Sequence, residues 1–133
     1  MQLIVAVSQN NAIGLNNQIP WHVPKDFAWF KTFTSGRIIA MGKNTFKSVG
    51  LLPGRTTIVL DRSTDISSLP ADTIIAGGAE VYRATVQYCE QLLVSRIPKI
   101  VEGADAFFEV PDNFTLAATI DMGTFVLEVY NRD

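Results

Sequence analysis

Short, β-branched, apolar runs are the feature of this sequence that most constrains its fold. Most of them lack the clean alternation of apolar and polar residues that marks a strand with one face in water. Runs of this kind are typical of strands that are covered on both faces. The runs are residues 3–7, 37–41, 56–60, 73–76, 91–95 and 125–130.

Helical stretches are predicted between several of these runs, at residues 24–33, 43–49 and 79–87. Alternation of strand and helix indicates a mainly parallel sheet with helices on both faces. The last run differs, because the strand-like residues 114–121 precede it with no helix between. We therefore predict an α/β fold with a mainly parallel central sheet flanked by helices, ending in a C-terminal antiparallel strand hairpin.

Length and composition indicate one domain. The chain has 133 residues, of which 47% are hydrophobic, which is enough for one core and too little for two comfortable ones. No internal repeat, low-complexity tract or linker divides it. We expect a single domain over residues 1–133.

Charge and hydropathy exclude two classes of partner. The net charge is −2 and the Lys and Arg residues form no run, so no basic field attracts nucleic acid. No apolar stretch approaches the span of a membrane helix, and the first residues lack the charged start of a signal peptide. We expect a cytoplasmic monomer that binds a small-molecule substrate, and neither nucleic acid nor a membrane.

The chain has one cysteine and one histidine. Cys89 excludes an internal disulfide, and its helical surroundings favour a buried thiol over a nucleophile. His22 leaves no usual set of metal ligands, so we predict no metal site and assign this side chain no chemistry.

Polar and glycine residues follow three of the predicted strands, at positions 42–45, 61–63 and 77–78. Ligands collect at the carboxyl ends of parallel strands, where a glycine turn that opens a helix offers free N–H groups to a phosphate. Each junction alone is a weak signal, since most such glycines only make turns. Together they predict an extended, phosphate-bearing ligand such as a dinucleotide, although the sequence lacks G-x-G-x-x-G.

An isolated acid, Asp26, stands among aromatic residues. A helix that begins near Pro24 places Asp26 on one stripe with Phe30 and Phe33, and that stripe should face inward. A charge there is expensive unless it is paired or is a functional group with a shifted pKa. The alternative is a first-turn acid that favours the positive end of the helix, and spacing alone leaves both readings open.

The sequence resembles dihydrofolate reductase over almost its whole length. The stretches that carry the resemblance are AVSQNNAIGLNNQIPWHVPKDFAWFK, IIAMGKNTFKSVG, LPGRTTIVLDRS, IIAGGAEVY and LLVSRIPKIVEGADAFF, in that order. The resemblance implies reduction of 7,8-dihydrofolate to 5,6,7,8-tetrahydrofolate with NADPH as cofactor. It implies hydride transfer to pterin C6, with protonation at N5 assisted by Asp26.

The same resemblance implies a set of site residues. Asp26 is the catalytic acid and holds the 2-amino group and N3 of the pterin, Arg55 pairs with the glutamate carboxylate of folate, and the Ser95 hydroxyl supports the acid. The implied substrate-binding residues are Ile4, Asp26, Phe27, Phe30, Val49, Arg55 and Ser95. The implied cofactor-binding residues are Ala6, Ile13, Gly42, Lys43, Asn44, Thr45, Arg62, Ser63, Gly77, Gly78, Ala79, Glu80 and Val81. Residues 13–21 resemble the loop that closes over the nicotinamide.

The sequence also departs from the family pattern. Residues 64–72 form a shorter segment than usual, so a strand and a helix of the adenosine-binding side are missing. Asp61 takes the place of a small hydroxyl residue and should repel a 2′-phosphate, and Ala104 replaces an acid that pins the loop in some members, with Asp105 next to it. Two alternatives stay open: a binding scaffold that has lost turnover, and a related pterin or pyrimidine reductase, against which Asp26 together with Arg55 argues.

Overall fold

The computed structural model describes residues 1–16 and 18–133. Within these residues, strands and α-helices alternate through most of the chain, with short 3-10 turns at Ile66–Ser68 and Val86–Tyr88. The elements are β1 Gln2–Val7, β2 Ala12–Gly14, α1 Pro24–Thr34, β3 Ile38–Gly42, α2 Lys43–Val49, β4 Thr56–Leu60, β5 Ile74–Ile75, α3 Ala79–Thr85, β6 Gln91–Arg96, β7 Ala106–Phe107, β8 Phe114–Asp121 and β9 Val126–Arg132.

Seven of the strands form one sheet in the order β4-β3-β5-β1-β6-β9-β8. The first five of these strands are parallel to one another, whereas β9 runs antiparallel to both β6 and β8. The predicted fold class, including the C-terminal antiparallel hairpin, is confirmed. The antiparallel pair β2 and β7 was not predicted from the sequence.

Two apolar clusters cover the two faces of the sheet. Successive residues of a strand point to opposite faces, so Leu3 of β1 packs into one cluster and Ile4 into the other. Helix α3 covers the Leu3 face with residues that include Tyr82. Helix α1 covers the Ile4 face with aromatic residues that include Phe30, which brings the aromatic stripe inward as predicted.

Strand β4 is the outer strand on one side of the sheet. The segment of residues 64–72, which follows it, contains a single 3-10 turn and no β-strand or α-helix. This side of the sheet is therefore as short as the sequence led us to expect. No helix in the described part of the chain has both the length and the apolar character needed to cross a membrane.

Candidate active site

Asp26 lies in the first turn of α1, where Pro24 opens the helix and the Asp26 N–H donates to the carbonyl of Val23 at 3.0 Å. The carboxyl group is largely withdrawn from water, and this burial raises its pKa above the usual range. A hydrogen bond with the Ser95 hydroxyl acts in the opposite direction and is the smaller effect. A first-turn acid that served only the helix dipole would lie in water with a lowered pKa. The geometry therefore favours a functional group.

Strands β1 and β6 carry the residues that lie beneath Asp26. Ala6 of β1 pairs in register with Ser95 of β6, so their side chains share the α1 face of the sheet. Ser95 is 1% exposed, and Ile4 belongs to the same apolar cluster as Phe30. The structure thus brings together four of the predicted substrate-binding residues: Ile4, Asp26, Phe30 and Ser95.

The other two apolar residues predicted for the substrate lie further out. Phe27 is 46% exposed, and its ring stacks on Phe30 with the ring centroids 6.2 Å apart. Val49 is the last residue of α2 and is half-buried. Phe27 therefore leaves an exposed apolar surface next to Phe30.

Arg55 is held at the opposite end of α1 from Asp26. Its Nε–H donates to Thr34 Oγ1 at 2.9 Å, its Nη1 donates to the Pro53 carbonyl, and its Nη2 donates to the Lys31 carbonyl. A helix rises ~1.5 Å per residue, so the turn that holds Arg55 lies about 12 Å along the axis from Asp26. An elongated ligand lying along α1 could contact both charged groups.

Two of the three predicted junctions adjoin each other. The N–H of Gly42 donates to the carbonyl of Gly77 at 2.9 Å, which joins the end of β3 to the turn after β5. Gly77 and Gly78 are linked by a cis peptide bond, and Gly77 has a φ of 116°. A Cβ on Gly78 would lie 3.3 Å from Thr45 Oγ1, and one on Gly77 would lie 3.1 Å from the Tyr82 hydroxyl oxygen. Bare backbone is therefore the only surface that fits here.

The third junction, residues 61–63, lies at the same edge of the sheet. Leu60, at the end of β4, pairs with Gly42, so residues 61–63 follow at the level of Lys43. The Asp61 carboxylate accepts hydrogen bonds from the Ser63 N–H at 2.9 Å and the Ser63 hydroxyl at 2.6 Å. These bonds lower the pKa of Asp61, which keeps a negative charge beside Arg62. Lys43 and Arg62 are both exposed.

The remaining predicted cofactor residues lie around these junctions. Ala6 is half-buried on β1, and Ile13 of β2 packs against the cluster on the α3 face. Asn44 is exposed in the first turn of α2. The first turn of α3 supplies the others: Ala79, Glu80 and Val81.

The predicted loop of residues 13–21 begins on β2, and Asn17 within it lies outside the described residues. The Asn16 N–H donates to Asp105 Oδ2 at 3.0 Å, and the Asp105 N–H donates to the Gly14 carbonyl at 3.2 Å. Asp105 therefore provides the acid that Ala104 lacks.

Sequence reasoning missed Tyr82. Its hydroxyl donates to the Ile4 carbonyl at 2.8 Å, below the Asp26 site and beside Gly77. Burial, with a smaller contribution from the negative charge of Asp26, raises the pKa of Tyr82, so it remains a neutral donor. A hydroxyl-bearing aromatic residue four positions after the glycine pair was the available signal, but its partner on β1 is set by the tertiary fold.

Metal ligands do not gather anywhere in residues 1–16 and 18–133: no group of three or more His, Cys, Asp or Glu side chains there could hold an ion. The groups that do gather are backbone amides, hydroxyls and cations at the ends of β3, β4 and β5. This fold and site define the class of small α/β domains that hold a phosphate-bearing ligand at the carboxyl ends of parallel strands.

Comparison with known proteins identifies the particular family. The sequence model described as dihydrofolate reductase matches residues 1–73. Dihydrofolate reductase of Neisseria meningitidis is 36% identical over 129 residues, covering 83% of this chain and 79% of that protein. The Bacillus subtilis enzyme is 33% identical over 142 residues, covering 93% and 84%. The chain belongs to the dihydrofolate reductase family.

A solved structure agrees with the sequence comparisons. Dihydrofolate reductase from Enterococcus faecalis, complexed with NADP(H) and RAB-propyl, superposes with a TM-score of 0.84 at 27% identity. The match covers 99% of this chain and 95% of that one.

Proposed function

We propose that this chain reduces 7,8-dihydrofolate to 5,6,7,8-tetrahydrofolate with NADPH, and that Asp26 assists protonation at pterin N5. The observation that carries the proposal is the withdrawn carboxyl of Asp26, with its raised pKa and its Ser95 partner, at one end of α1 while Arg55 is fixed at the other. Family membership indicates the reaction. The positions of Asp26 and Arg55 match the two polar ends of its substrate.

The substrate is proposed to lie along α1. Asp26 holds the 2-amino group and N3 of the pterin, because an ionised carboxylate accepts two parallel N–H bonds. Arg55 meets the glutamate carboxylate, since its nitrogens carry further N–H groups besides those donated within the protein. The apolar residues that contact the rings between these two ends are Ile4, Phe27, Phe30 and Val49.

The cofactor residues fit a dinucleotide at the joined ends of β3 and β5. A Cβ on Gly77 or Gly78 would crowd the Tyr82 or Thr45 hydroxyl, and a phosphate can approach glycine backbone closely at the half-buried Gly78. The proposed phosphate contacts are Lys43, Thr45 and Arg62, and the first turn of α3 completes this surface. NADPH supplies the hydride when bound, while the chain orients the two reactants and excludes water.

The proton at N5 is the remaining requirement. Burial favours the neutral form of Asp26, so the free protein holds this proton to a higher pH than an exposed aspartate does. The carboxyl group is proposed to raise the basicity of the pterin through its hydrogen bonds. The proton itself then comes from a water molecule that the loop of residues 13–21 admits.

The test is the loss of NADPH absorbance when dihydrofolate is added, with Asp26→Asn as the paired variant. Turnover by the parent and a large loss in the variant support the proposal. Binding of both ligands without turnover would instead support a scaffold that has lost activity. Equal turnover of a pterin that lacks the glutamate tail would support the related pterin reductase.

The proposal extends to the state of the protein. One sheet carries both apolar clusters, which supports a single domain over residues 1–133. We also propose that the protein is a cytoplasmic monomer. Light scattering in solution and cell fractionation test these two points.

A further inference from the structure

Arg96 is the last residue of β6 and directly follows Ser95. Its Nη1 donates to the Ser8 carbonyl at 3.2 Å and to Asn11 Oδ1 at 2.9 Å. Its Nε and Nη2 both donate to Glu128 Oε1, at 3.3 and 3.0 Å. One guanidinium thus joins the end of the central sheet, the last strand, and the turn of residues 8–11.

The ion pair with Glu128 is shielded, with the two side chains 25% and 18% exposed. Isolated surface pairs contribute little to stability, but a planar guanidinium held through two nitrogens is fixed in orientation. Tyr130 also donates its hydroxyl to Glu128 Oε1 at 3.0 Å, which holds the carboxylate in place. Glu128 therefore aims Arg96 at the turn.

Asn11 is the residue in that turn with an unusual backbone, because its φ is 64°. This left-handed conformation is uncommon for a residue other than glycine, although asparagine tolerates it best. The contact from Arg96 to the Asn11 side chain stabilises it. With this conformation set, the Asn11 carbonyl accepts from the N–H of Phe108 at 2.9 Å.

A continuous hydrogen-bonded path runs from this turn toward the nicotinamide loop. Beyond Asn11, strand β2 pairs with β7, and the Gly14 carbonyl accepts from the Asp105 N–H. Asp105 in turn accepts from the N–H of Asn16. Hydrogen bonds therefore connect residues 13–16, at the start of the loop, to the turn of residues 8–11, which Arg96 fixes to the sheet.

We propose that Arg96 is a positioning residue for the reduction: through Asn11 it sets the path of β2 and so the placement of residues 13–16, the start of the predicted loop. The inference rests on the proposed function for its effect on catalysis. The effect of Arg96 on the loop is independent of the proposed function, because it can be observed in the free protein.

The experiment compares Arg96→Gln and Asn11→Gly with variants that keep the contact. Arg96→Lys keeps the charge, and Asn11→Asp keeps the acceptor oxygen. Asn11→Gly accepts a φ of 64° without strain, so it removes the hydrogen bond while sparing the backbone.

Arg132→Gln is the matched control. Arg132 donates to the Cys89, Val86 and Gln87 carbonyls, with no hydrogen bond to the turn or to the described residues of the loop. Both arginines bond backbone carbonyls at partly buried positions of the same sheet. Arg132→Gln should lower the melting temperature and leave the kinetics unchanged.

Two measurements decide the outcome. Misplaced groups near a reacting centre have large effects, so kcat should fall roughly tenfold in Arg96→Gln and Asn11→Gly, with the KM for dihydrofolate unchanged and partial recovery in the two conservative variants. In the free protein, hydrogen exchange at the amides of Asn16 and Phe108 should become faster in the same two variants and not in Arg132→Gln.

Unchanged exchange at Asn16 in Arg96→Gln would overturn the proposal, and so would a loss of stability alone that matches Arg132→Gln. An inactive parent would refute the proposed function. The exchange rates would still decide whether Arg96 positions the loop.

Discussion

The Nε–H of Arg55 donates to Oγ1 of Thr34 at 2.9 Å, and Thr34 in turn donates to the carbonyl of Phe30 at 2.8 Å. Thr34 is fully buried, so this chain of hydrogen bonds fixes the guanidinium against the last turn of α1. The predicted partner of the glutamate carboxylate is thus pre-positioned by the helix that also carries Asp26.

Arg55→Leu should weaken dihydrofolate binding by about 1.5–3 kcal/mol, the usual size of a charge-assisted hydrogen bond. The affinity for NADPH should barely change, because Arg55 lies at the end of α1 and away from the glycine pair. Fluorescence titration with each ligand measures both affinities. Equal losses for the two ligands would show that Arg55 supports the fold and not the substrate.

Thr34→Val is the companion variant, because it keeps the arginine and removes only the group that orients it. We expect a smaller loss of dihydrofolate affinity than in Arg55→Leu, together with a lower free energy of unfolding. A Thr34→Val protein with a greater loss than Arg55→Leu would contradict the assigned order of roles.

Asp26→Asn should reduce turnover at neutral pH by roughly a hundredfold or more, the range expected for general acid–base assistance. Lower pH should partly restore the rate, because a more acidic medium protonates the pterin directly. The parent's rate should level off below the pKa of Asp26, whereas the variant's rate should keep rising. Parental activity of the variant at neutral pH would mean that the carboxylate serves only the start of the helix.

The same variant makes a prediction about stability. Burial raises the pKa of Asp26 in the folded state, so between its unfolded value near 3.8 and its folded value the unfolded chain loses its proton first. Ionisation of Asp26 therefore lowers the free energy of unfolding as pH rises through this window. Asp26→Asn should be the more stable protein at neutral pH, and the difference should vanish below the unfolded value. Melting curves across this range measure it, and a variant less stable than the parent at neutral pH would contradict it.

The large strands and helices could be predicted because their signals are local. Runs such as residues 37–41 and 91–95 carry β-branched and apolar side chains over a whole strand, and glycines mark where strands end. The pair β2 and β7 could not be predicted in this way, because its strands have three and two residues and lie about ninety residues apart. Their pairing depends on a turn whose conformation is set by Arg96.

The residues of the candidate site also divide into those with a local sequence signal and those without one. Asp26 was found because a lone acid on an aromatic stripe violates a local rule, and the glycine junctions were found because parallel strands share an edge. Tyr82 and Arg96 were missed, since each acts on a backbone carbonyl 78 or 88 residues away. No spacing in the sequence indicates such a contact.

Replacing Lys43 and Arg62 together by Ala should remove most of the preference for NADPH over NADH. An extra phosphate is favoured by cations placed to meet it, and both residues are exposed at the ends of adjacent strands. The ratio of catalytic efficiencies with the two cofactors measures the preference. Lys47→Ala is the control, since Lys47 is an exposed cation in the last turn of α2, away from the strand end. Equal efficiencies of the parent with both cofactors would end this hypothesis.

Thr73 provides a test of the core that is independent of function. It precedes β5 and is fully buried, and its Oγ1 has no hydrogen-bond partner among the residues that the structure describes. A buried hydroxyl without a partner costs free energy, and valine has nearly the same shape without that hydroxyl. Thr73→Val should therefore raise the free energy of unfolding, by about 1 kcal/mol.

Thr85→Val is the matched control for this change, because Thr85 is also fully buried but its Oγ1 donates to the Val81 carbonyl at 2.7 Å. The same substitution there removes a hydrogen bond that is made, and should lower the free energy of unfolding by about 1 kcal/mol. Urea denaturation of both variants measures the two changes under identical conditions. The two sites share the substitution and the full burial of the side chain, so the contrast in sign tests whether the hydroxyl has a partner. A loss of stability in Thr73→Val equal to that in Thr85→Val would show that the Thr73 hydroxyl is hydrogen-bonded in solution.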